Sequence, residues 1–119
     1  MLVIRNAQNA ALARAAFSAW MKSHLEKFMP AHCEALGPAG THAAIEYGID
    51  KAARYGITAD SEVCQYIDLM FCFGQDFDED PALPWAGAIL NEPAGASPEP
   101  KIVRLFRASL HHLRDAAQG

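Results

Sequence analysis

The sequence predicts an all-α fold, a compact bundle of five or six helices, and three observations carry that reading. Apolar residues recur at spacings of three and four through most of the 119 residues, the interval that gathers side chains on one face of an α-helix. Strand-like alternation of apolar and polar residues lasts nowhere for more than a few positions. Glycines and prolines punctuate the periodic stretches where helices are expected to stop and start. The length suits one domain over residues 1–119 with a single core. A hydrophobic content of 51% against 20% charged residues places the chain among globular rather than disordered sequences.

The first helix is expected over residues 6–28, with Asn6 as N-cap and Phe17, Trp20, Met21, His24, Leu25 and Phe28 on one stripe. Pro30 ends it and opens a short helix that Gly37 closes. After a connector over 38–40, Thr41 is expected to cap a helix carrying Ile45, Gly48, Ile49, Ala52 and Tyr55, stopped by Gly56. A glycine inside a helix costs about 1 kcal/mol relative to alanine, so Gly48 is expected to admit the close approach of another helix. Thr58 is expected to cap the next helix, with Val63, Tyr66, Ile67, Met70 and Phe71 on its stripe and Gly74 as its stop. Cys64, Leu69 and Phe73 add apolar character off that stripe, which marks this helix as the central, most buried one. Pro84 cannot donate to the carbonyl of Asp80, so a turn is expected over 80–83 and a helix over 84–91. Residues 91–100, with three prolines, read as a linker. A last helix begins at Ser97 or Glu99, with Val103, Phe106, Leu110 and Leu113 on one face.

Composition excludes several function classes. The formal net charge is -4, which offers no electrostatic footprint for phosphate backbones, so no nucleic-acid partner is expected. The aromatic run over 69–73 is far shorter than the ~20 apolar residues a bilayer span needs, so no membrane partner is expected. The N-terminus lacks the basic and apolar regions of a secretory signal, and the three cysteines form no C-x-x-C pair. Cytoplasmic, reduced thiols are expected, with Cys33, Cys64 and Cys72 all acting as small core hydrophobes. On a helix, Cys64 and Cys72 stand about 80° and about 12 Å apart, too far for a bond.

Asp76-x-Asp78-x-Asp80 begins like a calcium loop, but Pro81 stands where the sharp-turn glycine belongs and Gly87 where the bidentate glutamate belongs. The carboxylates are therefore read as solvated groups before a helix start, with Phe77 anchoring their loop in the core. His24, His32 and His42 are read as boundary residues, and the adjacent His111 and His112 point about 100° apart. No nucleophile elbow, phosphate loop, zinc-protease motif or dinucleotide loop is present. No catalytic residue, cofactor or metal ligand is assigned, and a binding module is expected.

The strings Ala35-Leu36-Gly37, Tyr55-Gly56-Ile57-Thr58, Tyr66-Ile67-Asp68-Leu69-Met70-Phe71 and Phe77-Asp78-x-Asp80-Pro81-x-Leu83-Pro84-Trp85-Ala86 resemble small bacterial proteins encoded beside type VI secretion effector and spike genes. The resemblance covers residues 36–90, about half the chain, and implies a gene neighbourhood rather than a chemistry. The expected role is a protein-binding accessory factor, an effector chaperone or adaptor, whose partner is a secreted effector or spike-tip component. An immunity protein is the alternative within the binding class, and a small metal-dependent hydrolase or effector using the acidic loop is the alternative outside it. The expected contact region is Phe77, Trp85 and the acidic residues Asp76, Asp78 and Asp80, because buried aromatics commonly dominate interface energetics. Charge reversal at Asp76 and Asp78 is expected to weaken a complex and spare the helices.

Overall fold

Five helices and one short 3₁₀ turn account for the secondary structure in a computed structural model that describes residues 2–118, with side chains from residue 9 onward. They are α1 (Leu2–Phe28), α2 (Pro30–Arg54), α3 (Asp60–Phe73), the 3₁₀ turn (Phe77–Glu79), α4 (Pro84–Leu90) and α5 (Lys101–Gln118). The structure is 79% helical with no strands among the described residues, so the fold class is all-α as the periodicity predicts. The chain divides into two compact units, residues 1–47 and 48–119.

In the first unit, α1 begins at Leu2, so the cap expected at Asn6 falls inside the helix, and the side chain of Asn6 lies outside the described ones. Its predicted stripe splits into two arcs. Met21 and Leu25 are fully buried with Ser18 beside them, whereas Trp20 and Phe28 are 55% and 62% exposed. At 100° per residue the six predicted positions span about 140°, with Met21 and Leu25 at one side of that arc and Trp20 at the other. The helix therefore turns its Ser18–Met21–Leu25 edge inward and leaves the rings outside.

Pro30 opens α2 as expected, but no connector follows Gly37. Gly37 adopts φ 75° and ψ 168°, a kink that glycine tolerates without steric cost, and helix resumes at once with Pro38 in its first turn. Thr41 therefore sits inside a helix rather than capping one. Its buried hydroxyl donates back across the kink to the carbonyl of Cys33 at 3.5 Å. Glu46 joins α2 to α1, accepting from the Arg14 guanidinium at 2.8 Å and the Ser18 hydroxyl at 2.5 Å. Burial pushes the Glu46 carboxyl up, but the Ser18 and Arg14 bonds outweigh it and hold the group below the usual carboxylate range.

In the second unit, α2 ends in a reciprocal cap: the Gly56 amide donates to the Ala53 carbonyl at 3.0 Å and the Ile57 amide to Ala52 at 2.9 Å. Gly56 takes φ 79°, and the buried Ile57 closes the motif. Ala59, not Thr58, occupies the N-cap of α3, and Gly74 ends that helix as expected. Seven residues of α3 are buried, including Tyr66, Ile67 and Phe71, which makes it the most enclosed helix of its unit. Cys33 and Cys64 are buried, but Cys72 is exposed, because it faces away from the Tyr66–Ile67–Met70 side of α3. Gly48 meets α3 so closely that an added Cβ would lie 2.7 Å from Ile67 Cγ1 and 2.8 Å from Met70 Sδ. Alanine there gains about 1 kcal/mol in helix propensity and loses more to overpacking, so Gly48→Ala is expected to destabilise the chain by about 1–2 kcal/mol net. Chemical denaturation measures this. A stabilised Gly48→Ala variant would exclude the close approach.

The 80–83 turn forms as predicted, with the Leu83 amide donating to the Asp80 carbonyl at 2.9 Å, and α4 starts at Pro84. The linker over 91–100 is pinned to α5 by two arginine–glutamate pairs, Arg104 with Glu92 and Arg107 with Glu99. The last helix starts at Lys101, later than expected. A lysine at a helix N-terminus opposes that helix's own dipole. Lys101 instead extends to the carboxyl ends of two other helices, donating to the Leu90 carbonyl at 2.8 Å and the Tyr55 carbonyl at 3.3 Å. The face of α5 turned inward is Ile102, Leu105 and Ser109, not the predicted one. Val103, Leu110 and Leu113 are 44%, 64% and 52% exposed, and Phe106 lies half-buried between the two faces. Apolar residues occupy two adjacent arcs of this helix, and periodicity alone does not select between them.

Candidate functional site

The predicted contact region folds around a lysine that sequence reading did not single out. Lys51 follows Gly48 by one turn of α2 and precedes Tyr55 by another, so the three share a face. Gly48 brings that face against α3, and the lysine is carried inward with it, its side chain only 4% exposed. The 3₁₀ turn that follows α3 delivers carboxylates to the ammonium. Lys51 Nζ donates to Asp78 Oδ2 at 2.7 Å and to Glu79 Oε2 at 2.9 Å, and pairs with Asp76 Oδ1 at 3.4 Å. The Tyr55 hydroxyl donates to the same Asp78 Oδ2 at 2.6 Å, whereas Asp78 Oδ1 is buried without a hydrogen-bond partner.

The structure treats the predicted residues differently from one another. Phe77 is 1% exposed and packs on Tyr66 at 5.2 Å between ring centroids, the anchoring expected of it. Asp78 is 3% exposed, which corrects the expectation of a solvated carboxylate: the buried Lys51 charge draws it in. Neither Phe77 nor Asp78 is presented to a partner in this conformation. Asp76 remains largely exposed. Asp80 is committed to its own turn, Oδ1 accepting from the Ala82 amide at 2.9 Å. Trp85 is half-buried, edge-on to Phe73 at 5.6 Å and against His112 at 5.9 Å, with its indole N–H buried and unpaired. Gly87 holds α4 against the 3₁₀ turn, an added Cβ lying 3.1 Å from the Asp78 carbonyl oxygen. The surface share of the expected contact region is thus Asp76, Asp80 and one edge of Trp85.

Oxygens of Asp76, Asp78 and Glu79 come within 4.8 Å of one another, a spacing compatible with a cation. That set differs from the alternating Asp76, Asp78, Asp80 of the sequence, and the Lys51 ammonium stands among its carboxylates. The arrangement is a charge-paired clamp between α2 and the loop after α3. A lysine held by three carboxylates donates rather than accepts, so it offers no base and no nucleophile.

Burial, reinforced by donation to Asp78, pushes the Tyr55 phenol up to about 12 from its ordinary 10.0. The folded chain therefore holds this proton more tightly than the unfolded chain. The stabilisation is complete below pH 10.0 and is lost as pH climbs towards about 12. Ultraviolet titration of tyrosinate is expected to show a component with a midpoint near 12 that disappears in Tyr55→Phe. A component lost in that variant whose midpoint lies near the ordinary 10.0 instead would remove Asp78 as the phenol's acceptor. Cys64 is similarly inert as a nucleophile, its thiol pushed up to about 11 by burial and then by Asp68.

No protein family, curated protein or solved structure matches the chain.

Proposed function

We propose that this chain is a protein-binding accessory factor of a bacterial type VI secretion locus, acting as an effector chaperone or adaptor. The observation that carries the binding reading is the ring ladder along the outer face of α1. Phe17 and Trp20 lie 6.2 Å apart, Trp20 stacks on His24 at 5.2 Å, and His24 meets Phe28 at 4.9 Å. Trp20 and Phe28 are both more than half exposed, and Leu12 on the same helix is 68% exposed. Ordering a tryptophan and a phenylalanine on a helix surface leaves large apolar area in water, and such area concentrates where a partner covers it. The secretion-locus assignment rests on the sequence resemblance over residues 36–90 alone.

The experiment is co-expression of the tagged chain with the products of its neighbouring genes, followed by mass determination of any complex. A stoichiometric complex is expected, lost in the Trp20→Ser, Phe28→Ser double variant with helical circular dichroism unchanged. Failure of every neighbour to bind the folded chain would overturn the reading. An immunity role has its own supporting observation: between Asp60 and Glu99 the sequence has nine carboxylates and no lysine or arginine, a charge pattern suited to plugging a basic active site. Protection of a toxin-expressing cell would favour that reading. A raised effector level without protection would favour the chaperone.

A further inference from the structure

We infer that the outer face of α5 is a docking site for an acidic amphipathic helix of a partner protein. The inference rests on the protein-binding reading and names a second surface, in residues 48–119. Val103, Phe106, Leu110 and Leu113 follow one another at intervals of three, four and three, the spacing with which one helix receives another. Three of the four are exposed, Leu110 the most at 64%, although Ile102, Leu105 and Ser109 already bury the adjacent arc of the helix. The face is therefore surplus to the packing of its own unit.

Charge selects the occupant. At 100° per residue, Arg107 and Arg114 fall along one edge of the apolar stripe, and the only carboxylate of the helix, Asp115, falls well away from it. Arg107 is engaged by Glu99 in a pair that is about half exposed on both sides, the kind of contact that an incoming carboxylate replaces at little cost. Arg114 meets the neighbouring His111 and, among the described residues, no carboxylate. A partner helix with acidic residues flanking its apolar seam matches this edge. A second copy of α5 does not, because antiparallel pairing sets arginine edge against arginine edge. Four seam residues also span only about 15 Å, short of the ~800 Å² per partner that a stable dimer buries.

The test uses the full chain and two labelled peptides of about three heptads, both with leucine at the seam positions, one flanked by glutamate and the other by lysine. Fluorescence anisotropy is expected to show saturable binding of the glutamate peptide and at least about tenfold weaker binding of the lysine peptide. Leu110→Asp with Leu113→Asp is expected to weaken the glutamate peptide about tenfold or more, with unchanged circular dichroism. Arg107→Glu with Arg114→Glu is expected to reverse the preference. The Trp20→Ser, Phe28→Ser variant is expected to bind the peptide like the parent chain. Equal binding of both peptides overturns the inference, as does no binding by a folded chain. So does a dimer broken by the leucine variants, or attachment to phosphatidylglycerol vesicles through this face. If the peptides fail while a neighbouring gene product still binds through Trp20 and Phe28, the protein-binding reading stands and only the assignment of α5 falls.

Discussion

Lys51→Met is expected to cost about 3–5 kcal/mol of unfolding free energy, measured by urea denaturation followed by circular dichroism. The loss arises less from the broken attraction than from what it leaves behind. Asp78 is buried with one oxygen already without a hydrogen-bond partner, and without the ammonium its charge has no compensating cation in the pocket. The control is Lys51→Met combined with Asp78→Asn, which removes both charges and leaves an amide oxygen able to accept from Tyr55. That double variant is expected to recover more than half of the loss, because apolar or neutral replacements of a whole buried pair are often tolerated. A double variant as unstable as the single one would mean that Lys51 contributes by packing alone. By contrast Arg107→Ala, which breaks an exposed pair, is expected to leave the denaturation midpoint nearly unchanged.

Phe77→Ala is expected to cost about 3–5 kcal/mol, and Phe77→Leu less than about half as much. The ring is 1% exposed and continues a line of rings from Tyr55 through Tyr66, at 6.4 Å and 5.2 Å. Its removal opens a cavity under the 3₁₀ turn that also carries Asp78, so the Lys51 clamp loses its footing at the same time. A Phe77→Ala chain of near-parental stability would place this ring on the surface, as a contact residue. The same geometry changes how a contact role for the acidic loop is tested. Asp78→Lys sets two ammonium groups together in a buried pocket and is expected to unfold the loop, so charge reversal belongs at Asp76, which is exposed.

Backbone punctuation was legible in the sequence, and side-chain facing was legible only in part. Gly56, Gly74, Pro84 and the 80–83 turn fall where predicted, because each acts through its own φ angle or missing donor and needs no distant partner. Gly48 was legible for a related reason, since a helix interior accepts a glycine only against a tightly packed neighbour. Lys51 was not, although it follows Gly48 by three residues on the same face. A lone lysine in a helix reads as solvated unless the carboxylates that enclose it are known, and Asp78 lies 27 residues away. Both long helices at the ends of the chain illustrate a second limit. Apolar residues on α1 and α5 cover two adjacent arcs each, and only tertiary packing decides which arc is buried. The signal available for α5 was that Ile102 and Leu105 sit beside the predicted stripe with no charge between them on that side.

The Lys101 ammonium joins carbonyls at Tyr55 and Leu90 across 46 and 11 residues of chain. Those carbonyls stand at the ends of α2 and α4, so the first residue of α5 adds a bond at two helix ends that are otherwise capped locally, by the Gly56 and Ile57 amides and by the Asn91 amide. Folding of residues 48–119 is thereby tied to the docking of α5. Until α5 docks, the Tyr55 and Leu90 carbonyls lack this ammonium and the core lacks Ile102 and Leu105, which that helix buries. The Lys101 contact thus couples the docking of α5 to both helix ends, and slow amide exchange at the ends of α2 and α4 should appear and vanish together.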